Sequence, residues 1–192
     1  MERVEQYERI CAVEHAGLLD SRIRKVIQNP VKTLDNRVKE GMIVLELGCG
    51  PGFFTTEIAR QVGKSGKVIA ADLQQGMLDI VKNKIKGTDL ENRIILHKCT
   101  EDKIGVTEKI DLAIAFFMIH EVPDKQKMLE EIKTILKPDG SLYIIEYRTH
   151  PPKKRFDEMI EIAHHTGLVE TEQPRFLLSR SIILKPTPKT KP

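Results

Sequence analysis

The residues best suited to chemistry begin with a glycine-rich turn. Gly48, Gly50 and Gly52 stand at alternate positions behind Glu46, which lies near the end of the apolar run Met42–Leu47. Such a run is typical of a buried strand in a parallel sheet, and a helical pattern follows the turn. Glycine permits backbone angles that a Cβ forbids, and it lets a ligand lie against the backbone. The stretch therefore predicts a strand, a ligand-binding turn and a helix whose N-terminus offers unpaired N–H groups.

Three classes of cofactor site can be compared with this turn. The dinucleotide fingerprint G-x-G-x-x-G needs a third glycine where Phe53 stands, which counts against a nicotinamide oxidoreductase. A Walker loop needs a Gly-Lys-Ser/Thr sequence, which does not follow. The spacing E-x-G-x-G-x-G of residues 46–52 resembles the first motif of the class I, seven-strand S-adenosylmethionine-dependent methyltransferases. The resemblance implies S-adenosylmethionine as the cofactor. Its amino-acid end would lie against Glu46, Gly48, Cys49, Gly50, Gly52 and Phe53.

A second acid follows the next predicted strand. Lys67–Asp72 is an apolar run that ends in Asp72, 20 residues after Gly52. In a doubly wound sheet an acid at this position lies beside the first crevice and can accept both ribose hydroxyls. We therefore predict that Asp72 binds the ribose, with Leu73 and Met77 beside the same ligand.

The adenine contact is less well defined. The third predicted strand is Arg93–Lys98, and the family that the chain resembles usually has an aspartate just after it, bonded to the adenine amino group. This sequence has Thr100 at that position, followed by Glu101 and Asp102. The departure leaves Cys99, Thr100 and Glu101 as alternatives.

Two further segments carry the resemblance. Residues 115–124, which begin at the end of the fourth predicted strand, Ile110–Phe117, resemble a segment typical of the subgroup that includes ubiquinone and menaquinone methyltransferases. Asp111 matches the acid that family members place at the start of that strand. L-K-P-x-G at residues 136–140, before an apolar strand, is a second mark of the family, because proline ends the helix and glycine turns the chain.

Methyl transfer from a sulfonium is an in-line displacement, so the protein must position the reactants, exclude water and, for some acceptors, remove a proton. His120 is the candidate general base because its pKa lies near neutrality, with His150 and His15 as alternatives. The resemblance places Phe116 near the reacting centre. The apolar side chains in this part of the chain favour a small, partly apolar acceptor.

These residues require a particular set of elements. We predict five strands that alternate with helices, then a hairpin formed by 168–172 and 175–184. The fold class is α/β, a single three-layer α/β/α domain with a mostly parallel seven-stranded sheet ending in an antiparallel hairpin. Residues 41–184 would form this domain, and 185–192 a disordered tail. Residues 1–40 would be a helical segment, either packed on the sheet edge or a lid carrying Tyr7, Glu14 and His15.

Composition sets the outer limits of function. The chain has 192 residues, 40% apolar and 31% charged, which favours one globular domain. A net charge of +3 and low aromatic content argue against nucleic acid as a partner. No apolar run has the length of a membrane span. Cys11, Cys49 and Cys99 lack metal or disulfide spacing, so we expect no metal site and free thiols in the cytoplasm.

The sequence thus predicts an S-adenosylmethionine-dependent methyltransferase acting on an unidentified small molecule. The alternative is a non-catalytic S-adenosylmethionine-binding module that acts through a partner protein. Oligomeric state is left open.

Overall fold

The computed structural model describes residues 29–34 and 36–188. Residues 1–28 of the predicted N-terminal segment, with Tyr7, Glu14 and His15, lie outside the described residues, so the choice between a lid and a helix on the sheet edge stays a prediction. The elements in chain order are α1 Pro30–Leu34, β1 Ile43–Leu47, α2 Thr55–Gln61, β2 Lys67–Asp72, α3 Gln75–Ile85, β3 Ile94–Lys98, β4 Ile110–Phe116, α4 Lys125–Ile135, β5 Leu136–Tyr147, α5 Lys153–His165, β6 Leu168–Glu172 and β7 Ser179–Pro186. Short 3-10 turns cover Glu91–Arg93 and Ile119–Glu121.

The strands form one seven-stranded sheet in the order β3-β2-β1-β4-β5-β7-β6. β1 to β5 are parallel, whereas β7 runs antiparallel to both β5 and β6. This arrangement confirms the predicted fold class. The predicted alternation of strands and helices is wrong at one place, because a loop over residues 99–109, without a helix, joins β3 to β4. The chain reverses its direction of progress across the sheet between β1 and β4, and open α/β sheets bind ligands at such a point.

Both faces of the sheet are covered because its central strands are apolar on both sides. Leu45 of β1 belongs to a core shared with α4 and α5, and its neighbour Val44 belongs to a second core shared with α1, α2 and α3. Successive side chains of a strand point to opposite faces, so this near-continuous apolar sequence requires a helix layer on each side. The result is a three-layer sandwich with its functional edge at the strand ends.

The predicted boundaries of two late elements differ from the observed ones. β7 starts at Ser179 rather than Arg175, because residues 175–178 form a loop in which the Leu178 carbonyl accepts a bond from the Arg148 amide at 2.8 Å. β7 also continues to Pro186, and its Lys185 pairs with Val169. The boundary predicted for the disordered tail therefore falls inside a strand, whose pairing with β6 holds these residues.

The L-K-P-x-G segment is also part of a strand rather than a separate turn. β5 begins at Leu136, which pairs with Ile110, and the register then shifts so that Ser141 pairs with Leu112. Asp111 lies at this irregularity, where its Oδ2 accepts a bond from the Ile43 amide at 2.8 Å.

Among residues 29–34 and 36–188, no helix has the length and hydropathy needed to cross a membrane.

Candidate cofactor and acceptor site

A cavity of about 620 Å³ opens at the carboxyl ends of the parallel strands. It is lined by the ends of β1, β2, β4 and β5 and by the loop after β3. The predicted cofactor-binding residues other than Gly52, and the candidate base His120, contribute to its wall: Glu46, Gly48, Cys49, Gly50, Phe53, Asp72, Leu73, Met77, Thr100, Glu101, Phe116 and His120. The sheet topology thus brings together residues that are far apart in the sequence.

The glycine turn meets the cavity at Gly50. Its φ is +52°, and a Cβ built there would have no heavy atom within 4 Å, so the backbone faces open space. Gly52 has a different function. At φ +78° its Cβ would lie 3.1 Å from Cγ2 of Val81, so this glycine lets α3 approach the turn closely and does not face the cavity. Gly52 is not among the residues that line the cavity, so its contact with a ligand stays a prediction.

Asp72 fixes the end of β2 to the glycine turn. Its Oδ2 accepts a hydrogen bond from the Gly50 amide and its Oδ1 one from the Gln74 amide, both at 2.8 Å. Burial raises the pKa of Asp72, although these two bonds and the charge of Lys98 oppose the rise. The side chain is only 7% exposed. It is a fixed acceptor in the cavity wall, suited to a ligand that presents hydroxyl donors.

Glu46 also belongs to the wall, at the end of β1. It is 4% exposed, and its Oε2 accepts a hydrogen bond from Thr55 Oγ1 at 2.6 Å. This bond ties the strand to the first residue of α2 across the glycine turn. The turn is therefore held from both sides, by Glu46 through Thr55 and by Asp72 through Gly50.

The loop after β3 places a carboxylate near the predicted adenine position. Thr100 donates from Oγ1 to Oδ1 of Asp102 at 2.9 Å, and both residues line the cavity with Cys99 and Glu101. This bond lowers the pKa of Asp102, helped by the charge of Lys127, whose Nζ lies 3.5 Å from Oδ2. Sequence reasoning omitted Asp102 from the adenine alternatives, although an acid two residues after the family position was a usable signal.

Aromatic rings line the part of the cavity nearest β4 and β5. Phe117 stacks on Tyr147 with ring centroids 4.2 Å apart, and Phe116 meets Phe54 edge-to-face at 5.0 Å. Phe117 has φ +59°, which is unusual for a bulky residue and is held in place by a 2.7 Å bond from its amide to the Ile145 carbonyl. The stacked pair gives this part of the wall a flat apolar surface.

His120 is held by a buried acid that sequence reasoning did not identify as functional. Glu146 is 0% exposed and accepts from His120 twice, from the backbone amide at 3.1 Å and from Nδ1 at 2.9 Å. The His150 ring meets the His120 ring edge-to-face at 4.8 Å. Burial acts to lower the pKa of His120, but the hydrogen bond and charge of Glu146, with Glu121, outweigh it and raise the pKa. An acid at the end of a buried strand, as at Glu46 and Asp72, was the signal for Glu146.

The thiols near the cavity are not activated. Burial raises the pKa of Cys99 to about 11, and burial together with Glu46 and Asp72 raises that of Cys49 further. Within the described part of the chain, no group of three or more His, Cys, Asp or Glu side chains is placed to hold a metal ion. The site therefore offers carboxylates, backbone amides, aromatic rings and an imidazole.

Comparison with known proteins shows which family and relatives the chain resembles. Residues 38–174 match the family model described as a methyltransferase domain. A demethylmenaquinone methyltransferase of Lactobacillus johnsonii is 40% identical over 111 residues, covering 57% of this chain and 46% of the relative. The ubiquinone/menaquinone biosynthesis C-methyltransferase UbiE of Haemophilus ducreyi is 29% identical over a stretch of the same length. The chain spans about half the length of the curated relatives it matches.

A solved structure is similar to this chain over a larger share of its length than these relatives are. The structure of a SAM-dependent methyltransferase from Aquifex aeolicus superposes with a TM-score of 0.83 at 27% identity, covering 91% of this chain and 98% of that one.

Proposed function

This chain belongs to the methyltransferase domain family, and we propose that it transfers a methyl group from S-adenosylmethionine to a small, partly apolar acceptor of the quinone type. One observation supports the proposal above the others. A single cavity is lined both by Asp72, bonded to Gly50, and by His120, bonded to Glu146. A nucleoside cofactor requires a fixed hydrogen-bond acceptor for its ribose diol, which Asp72 supplies. A hydroxylated methyl acceptor requires a base held in place, which the His120 imidazole supplies.

The residues of β1 and β2 would hold the cofactor. Asp72 would accept the ribose hydroxyls with the lone pairs that its two backbone bonds leave unused. The open backbone at Gly50 would lie against the amino-acid end, as would Glu46 and Cys49. Thr100, Glu101 and Asp102 would line the adenine end, with Leu73 and Met77 as apolar contacts. When bound, S-adenosylmethionine supplies a methyl group carried on a sulfonium sulfur, and the rest of the cofactor is the leaving group, a neutral thioether.

The aromatic part of the wall would hold the acceptor. The relatives named demethylmenaquinone methyltransferase indicate a planar ring, and the stacked pair Phe117 and Tyr147 offers a flat surface for one. In a hydroxylated ring, loss of the hydroxyl proton raises electron density at the neighbouring ring carbon. We assign this proton removal to His120, with His150 packed beside it.

The free thiols Cys49 and Cys99 support a reducing, cytoplasmic location as part of the same proposal. The competing function is a non-catalytic cofactor-binding module that acts through a partner protein. It is motivated by Thr100, which stands where the family usually has an aspartate.

Two measurements test the proposal. Calorimetry should show binding of S-adenosylmethionine and S-adenosylhomocysteine but not of NAD. Incubation with methyl-labelled S-adenosylmethionine and a short-chain demethylmenaquinol should then transfer label to the organic phase. Cofactor binding without transfer to any of a panel of reduced quinols and phenols would favour the non-catalytic module. Absence of binding would remove the enzyme interpretation altogether.

A further inference from the structure

We propose that Glu146 is a positioning residue that fixes the tautomer of His120, so that Nε2 carries the lone pair that takes the acceptor's proton. The inference rests on the proposed function, because it assigns a second residue to the proton transfer given to His120. Glu146, unlike His120, does not line the 620 Å³ cavity. It would act through the imidazole rather than on the acceptor.

The two hydrogen bonds between these residues determine the tautomer. An ionised carboxylate only accepts, so Nδ1, at 2.9 Å from Oε2, must carry the hydrogen of that bond. Nε2 then has the lone pair. The other carboxylate oxygen, Oε1, accepts from the His120 backbone amide at 3.1 Å. Both oxygens of a side chain with 0% exposure are thereby bonded to one residue.

The surroundings of the ring place Nε2 where it could meet an acceptor. His120 lines the main cavity and, with Glu146, a second one of about 740 Å³ between α4 and α5, so this residue lies at the border of the two. Nε2 is 3.9 Å from Oε1 of Glu121, another residue of the main cavity wall. His150 packs on the ring edge-to-face, and Lys125 is the nearby cation whose charge opposes protonation.

Glu146 also stabilises the positive charge that forms on His120 when the imidazole takes the proton. The acceptor's O–H bond breaks, its proton binds Nε2, and the electron pair stays on the acceptor oxygen. His120 becomes an imidazolium beside the buried carboxylate of Glu146. An opposite charge at hydrogen-bond distance in a desolvated site stabilises that cation, whereas burial alone would disfavour it.

Replacement by glutamine gives a sharp test, because the backbone bond dictates how the new amide must lie. The His120 amide is a fixed donor, so the oxygen of the new carboxamide must face it, which turns the NH₂ group toward Nδ1. An NH₂ group donates, so Nδ1 must become the acceptor and Nε2 must carry the hydrogen. E146Q therefore keeps the size and the backbone contact and reverses the tautomer. E161Q, at an exposed position of α5, is the matched control.

The experiment combines nitrogen-15 spectroscopy of the histidine rings with kinetics. In the wild type and E161Q, we expect His120 as the Nδ1–H form at alkaline pH, whereas E146Q should show the Nε2–H form. Turnover should fall by about 10²-fold or more in E146Q, the usual size of a general-base contribution. The rise of kcat/KM with pH through the His120 pKa should disappear, and the Kd for S-adenosylhomocysteine should not change.

Two results would overturn the inference: an Nδ1–H tautomer retained in E146Q, or wild-type turnover with an unchanged pH profile in that variant. A purely structural role for Glu146 predicts the second. If the wild-type protein methylates no acceptor, the proposed function fails. The ring spectra then still decide whether Glu146 sets the tautomer.

Discussion

Asp72→Ala tests the assignment of the cofactor's ribose to the end of β2. The substitution removes both carboxylate oxygens from a position that is 7% exposed, and with them the acceptors of the Gly50 and Gln74 amides. A ligand with a ribose diol would lose two hydrogen bonds to a charged acceptor. A ligand held only by the glycine turn or the adenine end would lose little.

The size of the effect follows from these contacts. A hydrogen bond to a charged group contributes about 1.5–3 kcal/mol. Water can reach the vacated space from the cavity and replace part of these two hydrogen bonds. We therefore expect the binding free energy to weaken by about 2–4 kcal/mol in total. At 1.4 kcal/mol per tenfold change, that loss weakens binding by about 30- to 1,000-fold.

The effect on folding should be smaller. Two backbone donors lose their acceptor, which destabilises the apo protein, but a desolvated carboxylate is also removed, which stabilises it. Because the two contributions have opposite sign, the free energy of unfolding should change by less than about 2 kcal/mol. Binding can then be measured on a folded protein.

The assay is calorimetric titration with S-adenosylhomocysteine, alongside thermal unfolding. Asp139→Ala is the matched control, because it removes the same charge from an exposed position in the 136–140 segment, at the opposite end of β5 from the cavity. It should bind like the wild type. A folded Asp72→Ala protein that binds within threefold of the control would refute the ribose assignment.

Three further outcomes are expected. Gly50→Ala and Gly87→Ala should each cost about 1 kcal/mol of stability, because both glycines have positive φ and space for a Cβ. Only Gly50→Ala, at the cavity, should weaken S-adenosylhomocysteine binding in calorimetry. Because Glu146 raises the pKa of His120, it stabilises the folded protein most when the imidazole is protonated. This stabilisation is complete below the unfolded histidine pKa of about 6.5 and is lost as pH rises through the folded pKa. Urea titrations should therefore show that the difference in unfolding free energy between wild type and E146Q narrows from pH 5 to pH 9. Phe117→Ala should raise the acceptor KM in steady-state kinetics without changing cofactor affinity, and an equal loss of both would contradict its place in the acceptor wall.

The part of the cavity that we propose for the cofactor was predictable from sequence because its components are local or obey a rule of topology. The glycine turn directly follows β1, and a parallel sheet puts the end of β2 beside it. Asp72 therefore had to lie near Gly50, and they are joined by a 2.8 Å bond. The family resemblance supplied what the ligand is, which the backbone pattern alone could not.

The part that we propose for the acceptor was less predictable because it depends on contacts between side chains far apart in sequence. Glu146 and His120 are on different elements, and their hydrogen bond depends on the register of β5 against β4 after the shift near Leu112. Sequence periodicity does not specify such a shift. The late hairpin boundary was missed for a similar reason, since the loop before Ser179 is set by a backbone bond from Arg148.

The buried acids show how the sheet edge becomes a site. Glu46, Asp72 and Glu146 each stand at the last or next-to-last position of a strand, are at most 7% exposed, and accept a hydrogen bond from a residue that follows the sheet edge. Asp111 lies instead at the amino-terminal end of β4, where it bonds Lys137 and the Ile43 amide and serves strand pairing.

A buried carboxylate is costly unless its lone pairs are used, so each of these acids fixes the loop that satisfies it. The loops around the cavity are tied to the strand ends by these bonds, and the same desolvation makes the unused lone pairs strong acceptors for a ligand. Removing any one acid should therefore loosen its own loop as well as lose a contact. The E146Q substitution, which keeps the backbone bond of His120, separates these two effects for Glu146.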